Sequence, residues 1–203
     1  MKKSFIALYG VTNIGKTTQI NLIKERCEKE GILIHLQKYP VYDLSPTGTL
    51  IFEAIKGGNP KNLSAGEIQA LMAKNRFDFE KEEQILFNSN GSVPYFSFLF
   101  PIVAEMYTGT GIAYGIGDGV SKEYLLALNC GLRVPDVSIL LDGQRFMGSI
   151  ERGHRFEEDA EKTENIRQIH LELAADRGWH IVNANRSVVE VHERIWTLIR
   201  EYL

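Results

Sequence analysis

Eight consecutive residues near the start of the sequence have the types and the spacing of a phosphate-binding loop. They satisfy the pattern G-x-x-x-x-G-K-[ST] and are Gly10, Val11, Thr12, Asn13, Ile14, Gly15, Lys16 and Thr17. Glycine at both ends of the pattern lets the backbone turn tightly, so that successive N–H groups and the start of the next helix can face phosphate. The loop predicts binding of a nucleoside triphosphate, but it does not by itself specify a reaction.

Two side chains of this loop could take part directly in phosphate chemistry. The Lys16 ammonium is expected to reach the β and γ phosphates of ATP, and the Thr17 hydroxyl is a suitable ligand for Mg²⁺. A metal ion there would offset negative charge during phosphoryl transfer. We therefore expect an ATP site at residues 10–18, which comprises the loop and the next residue, Thr18. A chance match is the alternative, but an apolar run precedes the loop and a helical pattern follows it, as the motif requires.

Other clusters of chemically useful residues are weaker signals. Residues 109–117 are rich in glycine, but their spacing does not fit G-x-G-x-x-G and they follow the third apolar run rather than the first. A dinucleotide site is therefore not predicted. The five histidines are dispersed along the chain, so we predict no zinc site.

The elements that must position the loop can be read from hydrophobic patterns. Short apolar runs predict strands at residues 5–9, 32–36, 99–104, 137–141 and 180–182. Helical periodicity fills the gaps between them, and Ser64 with Glu67 and Ser187 with Glu190 form capping boxes at two helix starts. This alternation predicts an α/β fold with a doubly wound, five-stranded parallel sheet and helices on both faces. Because proline cannot donate to the sheet, the third strand either begins after Pro101 or is irregular.

Length and composition limit the kinds of protein that this chain can be. Its 203 residues, with no linker rich in Pro, Gly and Ser, favour one domain over residues 1–203. A net charge of −3 gives no indication of a nucleic-acid polymer or an anionic membrane as partner. Cys27 and Cys130 lie far apart, which favours free thiols and a cytoplasmic location. The apolar run after Met1 is too short for a signal peptide or a membrane span.

Four further segments, taken in order with the loop, resemble the thymidylate kinase family of P-loop nucleoside monophosphate kinases. The matching residues are Lys38-Tyr39-Pro40, Ala73-Lys74-Asn75-Arg76, Glu105-Met106-Tyr107 with Thr110 and Ala113-Tyr114, and Pro135-Asp136 through Leu141-Asp142 to His154-Arg155-Phe156-Glu157. Each segment is a weak signal alone, but together they span nearly the whole chain. The resemblance implies transfer of the ATP γ-phosphoryl group to a deoxynucleoside monophosphate, dTMP giving dTDP, and it implies a homodimer.

The resemblance also implies roles for individual residues. Glu105, at the end of the third strand, would organise Mg²⁺ or the acceptor phosphate, with Asp142 as its rival. Arg152 and Arg155 would assist catalysis from a lid at about residues 145–160. The acceptor nucleotide would lie against a helical segment at about residues 40–87, and its binding residues are Lys38, Tyr39, Pro40, Tyr42, Met72, Arg76, Tyr107, Thr110 and Tyr114.

Simpler structural roles remain open for several of these residues. Glu105 could cap a turn or pair with a lysine, and Arg76 could form a solvated helix pair with Glu80. Arg152 and Arg155 could be exposed lid charges. Tyr107 and Tyr114 could equally belong to the core.

Three positions depart from the family pattern and leave the acceptor open. Met106 stands where the family has an arginine that binds phosphate, and a thioether cannot supply that charge. Tyr42 lies near the position where many members have another phosphate-binding arginine, and Met72 stands where an aromatic residue often stacks on the base. The alternatives are therefore a kinase for another nucleotide or small acceptor, or a nucleotide-binding protein with impaired transfer.

Overall fold

A computed structural model describes residues 4–89, 100–144 and 160–203, and it contains a five-stranded parallel sheet with helices on both faces. The strands are β1 (Phe5–Tyr9), β2 (His35–Lys38), β3 (Ile102–Glu105), β4 (Val137–Asp142) and β5 (His180–Asn183). They are arranged in the order β2-β3-β1-β4-β5. β1 is therefore central, and the predicted α/β class with its parallel sheet is confirmed.

Seven helices connect and cover the strands in the described parts of the chain. They are α1 (Lys16–Glu30), α2 (Thr47–Ile55), α3 (Ala65–Ser89), α4 (Thr108–Gly117), α5 (Lys122–Leu128), α6 (Ala160–Arg177) and α7 (Val188–Ile199), and a short 3-10 turn follows at Arg200–Tyr202. None of the described helices is long and apolar enough to cross a membrane.

The core lies on both faces of the sheet, as the continuous apolar strands predict. Ile6 and Leu8 of β1 pack into one hydrophobic cluster, whereas Phe5, Ala7 and Tyr9 pack into another. Successive side chains of a strand point to opposite faces, so this division means that β1 is covered on both sides. The phosphate-binding loop that follows β1 therefore starts from the most buried strand.

Two strands begin later than their apolar runs, and for β3 this is the start after Pro101 that the sequence left open. β2 begins at His35 rather than residue 32, because the N–H of Ile32 still bonds the carbonyl of Cys27 and closes the end of α1. Gly31 makes this ending possible with a φ of 70°, in the left-handed region. β3 begins after Pro101, whose carbonyl accepts from the N–H of His35.

The connections contain more helices than the simple alternation predicted. Two helices, α2 and α3, lie between β2 and β3, and two more, α4 and α5, lie between β3 and β4. The glycine-rich residues 109–117 fall within α4 rather than in a dinucleotide loop. At Gly117 an added Cβ would lie 2.6 Å from Cγ1 of Ile166, so a small residue lets α4 pack closely on α6.

Candidate active site

The phosphate-binding loop lies between the end of β1 and the start of α1. Gly10 and Gly15 have φ values of 137° and 94°, and Asn13 has a φ of 60°. A Cβ at Gly10 would lie 2.7 Å from the carbonyl oxygen of Leu141, so this close approach to β4 also requires glycine. The loop thus leads directly into a helix whose N-terminus can face an anion.

Lys16 is folded into the loop that precedes it. Its Nζ donates to the carbonyl oxygens of Gly10, at 3.0 Å, and Val11, at 2.7 Å, and the side chain is 5% exposed. The loop is also held from the other side, because the N–H of Thr12 donates to the hydroxyl of Tyr114 at 3.0 Å. The ammonium therefore has a fixed position within the phosphate-binding loop.

Glu105 lies next to this loop because of the order of the strands. In the parallel register, Glu105 at the end of β3 is paired with Leu8 of β1 and with Lys38 of β2. Its Oε1 accepts from the Thr17 hydroxyl at 2.9 Å and lies 3.3 Å from Nζ of Lys38. The structure thus brings the two predicted metal-binding side chains, one carboxylate and one hydroxyl, into direct contact.

Asp142, the rival carboxylate at the end of β4, is held by a different partner. Arg167 of α6 donates to both of its oxygens, from Nε at 2.6 Å and from Nη2 at 2.9 Å. The hydrogen bonds to the Asp142 carboxylate raise the pKa of Arg167. A bidentate pair of this kind occupies the carboxylate and fixes α6 to the sheet.

A cleft of about 640 Å³ opens beside the loop and collects most of the predicted site residues. Those that line it are Thr12, Asn13, Gly15, Lys16, Thr17, Thr18, Lys38, Tyr39, Pro40, Tyr42, Met72, Arg76, Glu105, Thr110 and Tyr114. The cleft is concave and has both charged and aromatic walls, which suits a nucleotide-sized ligand.

Sequence reasoning missed several residues of this cleft. Ile55, Lys56, Gly111 and Val188 line it but belong to no phosphate or nucleotide motif. Ile55 and Lys56 stand at the end of α2, a helix that the predicted alternation did not include. Met106, recognised only as a departure from the family pattern, also lines the cleft.

Arg76 is the most deeply buried cation of the cleft wall, with 3% of its surface exposed. Its Nη1 donates to Oδ1 of Asn129 at 3.1 Å and its Nη2 donates to the carbonyl oxygen of Tyr107 at 3.4 Å. Burial lowers its pKa from the ordinary value, although nearby groups such as Tyr107 oppose this. The alternative left open for Arg76, a solvated pair with Glu80, is not formed, because Arg76 is buried and Glu80 accepts from the Tyr107 hydroxyl.

Tyr107, predicted to bind the acceptor, is placed behind the cleft in the core. Its side chain is completely buried, and its hydroxyl donates to Oε1 of Glu80 at 2.5 Å. Burial, more than any other cause, raises the pKa of this hydroxyl. Tyr107 therefore contacts the site through its backbone carbonyl, which accepts from Arg76.

The two predicted lid arginines cannot be placed in this geometry. Arg152 and Arg155 both lie outside the described residues, as do nearly all residues of the predicted lid.

Comparisons with known proteins place this architecture among nucleotide kinases. The profile of the thymidylate kinase family matches residues 8–195. The thymidylate kinase of Dictyostelium discoideum is 28% identical over 94% of this chain and 82% of its own length. That of Neisseria gonorrhoeae is 29% identical over 96% of this chain and 95% of its own length. The solved thymidylate kinase from Candida albicans has the same fold, with a TM-score of 0.74 at 22% identity, covering 98% of this chain and 92% of that one.

Proposed function

Because the chain belongs to the thymidylate kinase family, it is an ATP-dependent nucleoside monophosphate kinase, and we propose that it transfers the γ-phosphoryl group of ATP to dTMP, giving dTDP and ADP. One observation carries this proposal. A single cleft contains the phosphate-binding lysine, Lys16, and all the predicted acceptor residues except Tyr107, and Glu105 lies between them. Transfer between two bound nucleotides needs such a shared cleft, since positioning supplies much of the catalysis.

The donor nucleotide is proposed to bind at residues 10–18. The N–H groups of the loop and the start of α1 face the phosphates, and the Lys16 ammonium moves from the loop carbonyls to the β and γ phosphate oxygens. This exchange keeps the ammonium hydrogen-bonded with and without ligand, which offsets part of the cost of burying its charge.

The acceptor is proposed to lie across the cleft from the loop. Lys38 supplies positive charge for its phosphate, while Tyr39, Pro40, Tyr42 and Met72 form the wall against its sugar and base. Lys38 already lies beside Glu105, so the acceptor phosphate would meet an ammonium whose position a carboxylate fixes.

The residues at the loop fit a magnesium ion, which we include in the proposal. The Thr17 hydroxyl and the Glu105 carboxylate are hard oxygen donors in mutual contact. Mg²⁺ usually keeps several waters and binds through one or two protein oxygens plus substrate phosphates, so two such donors are sufficient. When bound, Mg²⁺ would supply charge neutralisation on the phosphate oxygens.

On the basis of the family resemblance, the proposal also covers the whole chain and the lid segment, in addition to the residues that line the cleft. We propose one kinase domain over residues 1–203, with an acceptor-binding segment at about residues 40–87. A lid at about residues 145–160 would bring Arg152 and Arg155 to the transferring phosphoryl group. A homodimer and a cytoplasmic location stay predictions.

The proposal is tested by measuring ADP release with Mg²⁺ and ATP across a panel of acceptors. The panel contains dTMP, dUMP, dCMP, dAMP and dGMP, with thymidine as the nucleoside control. We expect dTMP to give the highest kcat/KM. Release that no monophosphate stimulates would refute the proposed transfer, whereas a preference for a different acceptor would replace dTMP by that compound.

A matched pair of lysine variants links turnover to the loop. Lys16→Ala should lower kcat at least about 100-fold, because it removes a charge that faces the reacting phosphates. Lys29→Ala removes an exposed lysine from the last turn of α1 and should leave kcat unchanged. Equal activity of the two variants would show that the loop does not hold the donor as proposed.

A further inference from the structure

Arg76 is a buried guanidinium whose hydrogen-bond partners among the described residues are neutral. Asn129 and the carbonyl of Tyr107 accept one N–H each, and its Nε has no hydrogen-bond partner among the described residues. The nearby Glu80 carboxylate accepts from the Tyr107 hydroxyl. A guanidinium has five N–H donors, so several remain for a ligand in the cleft that Arg76 lines.

Asn129 holds this guanidinium from outside the cleft. It is the residue directly after α5, and its Nδ2 donates to the carbonyl oxygen of Leu125 at 2.8 Å. This bond orients the amide so that Oδ1 faces Nη1 of Arg76. The end of α5 thus fixes an oxygen that can hold the arginine in one position.

Two further sides of the guanidinium are covered, one by backbone and one by an aromatic ring. A Cβ at Gly111 would lie 2.8 Å from Nη2 of Arg76, so α4 passes against it. The central carbon of the guanidinium lies 5.9 Å from the centre of the Tyr107 ring. Among the described contacts of Arg76, Asn129 is the side-chain acceptor that sets its rotation.

We infer that Asn129 is a positioning residue for the acceptor nucleotide and acts through Arg76. Its amide oxygen holds the guanidinium so that the remaining N–H donors point at an oxygen of the acceptor. Asn129 itself does not line the cleft of the loop, and no motif of the sequence marks it. The inference rests on the proposed function, because it requires that Arg76 bind the acceptor.

The test compares two substitutions of Asn129 with a matched control. Asn129→Ala removes the oxygen and should raise the KM and the dissociation constant of dTMP about tenfold, with those of ATP unchanged and kcat within about threefold. Asn129→Asp keeps an oxygen that accepts from Arg76 and should bind dTMP within about threefold of the unaltered protein. Asn165→Ala, on the exposed side of α6, should change neither constant.

A double-substitution cycle shows whether Asn129 acts through Arg76. In protein that already carries Arg76→Ala, Asn129→Ala should weaken dTMP binding less than about twofold further, because coupled residues are not additive. A full tenfold effect there, or equal weakening of ATP and dTMP, would overturn the inference. Should Arg76→Ala bind dTMP too weakly to measure, the contrast between Asn129→Ala and Asn129→Asp decides alone.

The outcomes for the inference and for the proposed function are distinct. If the unaltered protein phosphorylates dTMP and Asn129→Ala behaves like it, the positioning role is refuted and the kinase function stands. If the unaltered protein neither binds nor phosphorylates dTMP, the proposed acceptor is wrong, and the positioning role fails with it.

Discussion

At the residue scale, Glu105 and Asp142 end the two strands that flank β1, yet the structure gives them different partners. Glu105 contacts Thr17 of the loop, whereas Asp142 is paired with Arg167. We expect Glu105→Gln to lower kcat about 10- to 100-fold, because the lost charge would organise the metal and the acceptor phosphate. Asp142→Asn should keep kcat within about threefold and lower the free energy of unfolding by about 1 kcal/mol, since its pair is partly exposed.

Steady-state turnover and urea unfolding of the two variants check this assignment. Because glutamine and asparagine are isosteric with the acids they replace, a difference between the variants reflects charge rather than packing. The reverse pattern, with Asp142→Asn inactive and Glu105→Gln active, would transfer the metal-organising role to Asp142.

The sequence predicted these residues better than it predicted where their side chains point. Lys16, Thr17 and Glu105 converge, because a strand end and the loop after a neighbouring strand meet at the same edge of a parallel sheet. Met106 has a φ of 61°, and beyond this turn Tyr107 points into the core. Residue type and spacing do not encode such a turn, so the sequence left open whether Tyr107 faces the acceptor or the core.

At the scale of elements, the glycines of α4 determine how closely that helix approaches the site. Gly111→Ala would place a Cβ 2.8 Å from Nη2 of Arg76 and displace a buried guanidinium. We expect the KM of dTMP to rise about tenfold, since a hydrogen bond to a charged group is worth about 1.5–3 kcal/mol. Steady-state kinetics with dTMP and with ATP as the varied substrate measure the effect.

Gly66→Ala in α3 is the matched control for this helix substitution. The nearest atom to its new Cβ is Cε1 of Tyr124 at 3.8 Å, an ordinary van der Waals distance. It should stabilise the fold by about 0.5 kcal/mol and leave the KM of dTMP unchanged. A normal KM in Gly111→Ala would mean that the guanidinium can shift without loss, contrary to the packing argument.

Helix starts were predictable because their signals are local. Both capping boxes are confirmed: Ser64 and Ser187 accept from the N–H of Glu67 and Glu190, each at 3.3 Å. The start of β2 was not predictable, because the apolar residues after Gly31 first complete the end of α1. The helix α2 also escaped prediction, because no side chain caps its start.

At the scale of the whole molecule, the parallel sheet was predictable, but the order of its strands was not. Alternating strands and helices require parallel pairing with covered faces, yet several strand orders satisfy that requirement. The order β2-β3-β1-β4-β5 places β3 beside β1 and thereby Glu105 beside the loop. The resemblance to thymidylate kinases implied a role for Glu105 at the metal or the acceptor phosphate, but the sequence analysis derived no strand order from it.

The stability of the whole molecule should depend on the protonation of His170 in α6. This side chain is 1% exposed, its Nδ1 lies 2.9 Å from the carbonyl oxygen of Ile166, and its Nε2 has no hydrogen-bond partner among the described residues. Burial lowers its pKa to about 4, against about 6.5 in an unfolded chain. Between these values the unfolded state binds the extra proton, so the free energy of unfolding falls as pH decreases.

As pH falls from about 7.5 to about 5, we expect His170 to lower the free energy of unfolding by about 2 kcal/mol. The variant His170→Gln should lack this part of the pH dependence. Burial also lowers the pKa of His35 and His192, so these groups likewise lower the free energy of unfolding as pH decreases. The raised pKa of Glu80 has the opposite effect. Because these groups are present in both the unaltered protein and His170→Gln, the difference between the two pH dependences reports His170 alone. Urea unfolding at both pH values measures it, and parallel losses in both proteins would mean that His170 is protonated in the folded state.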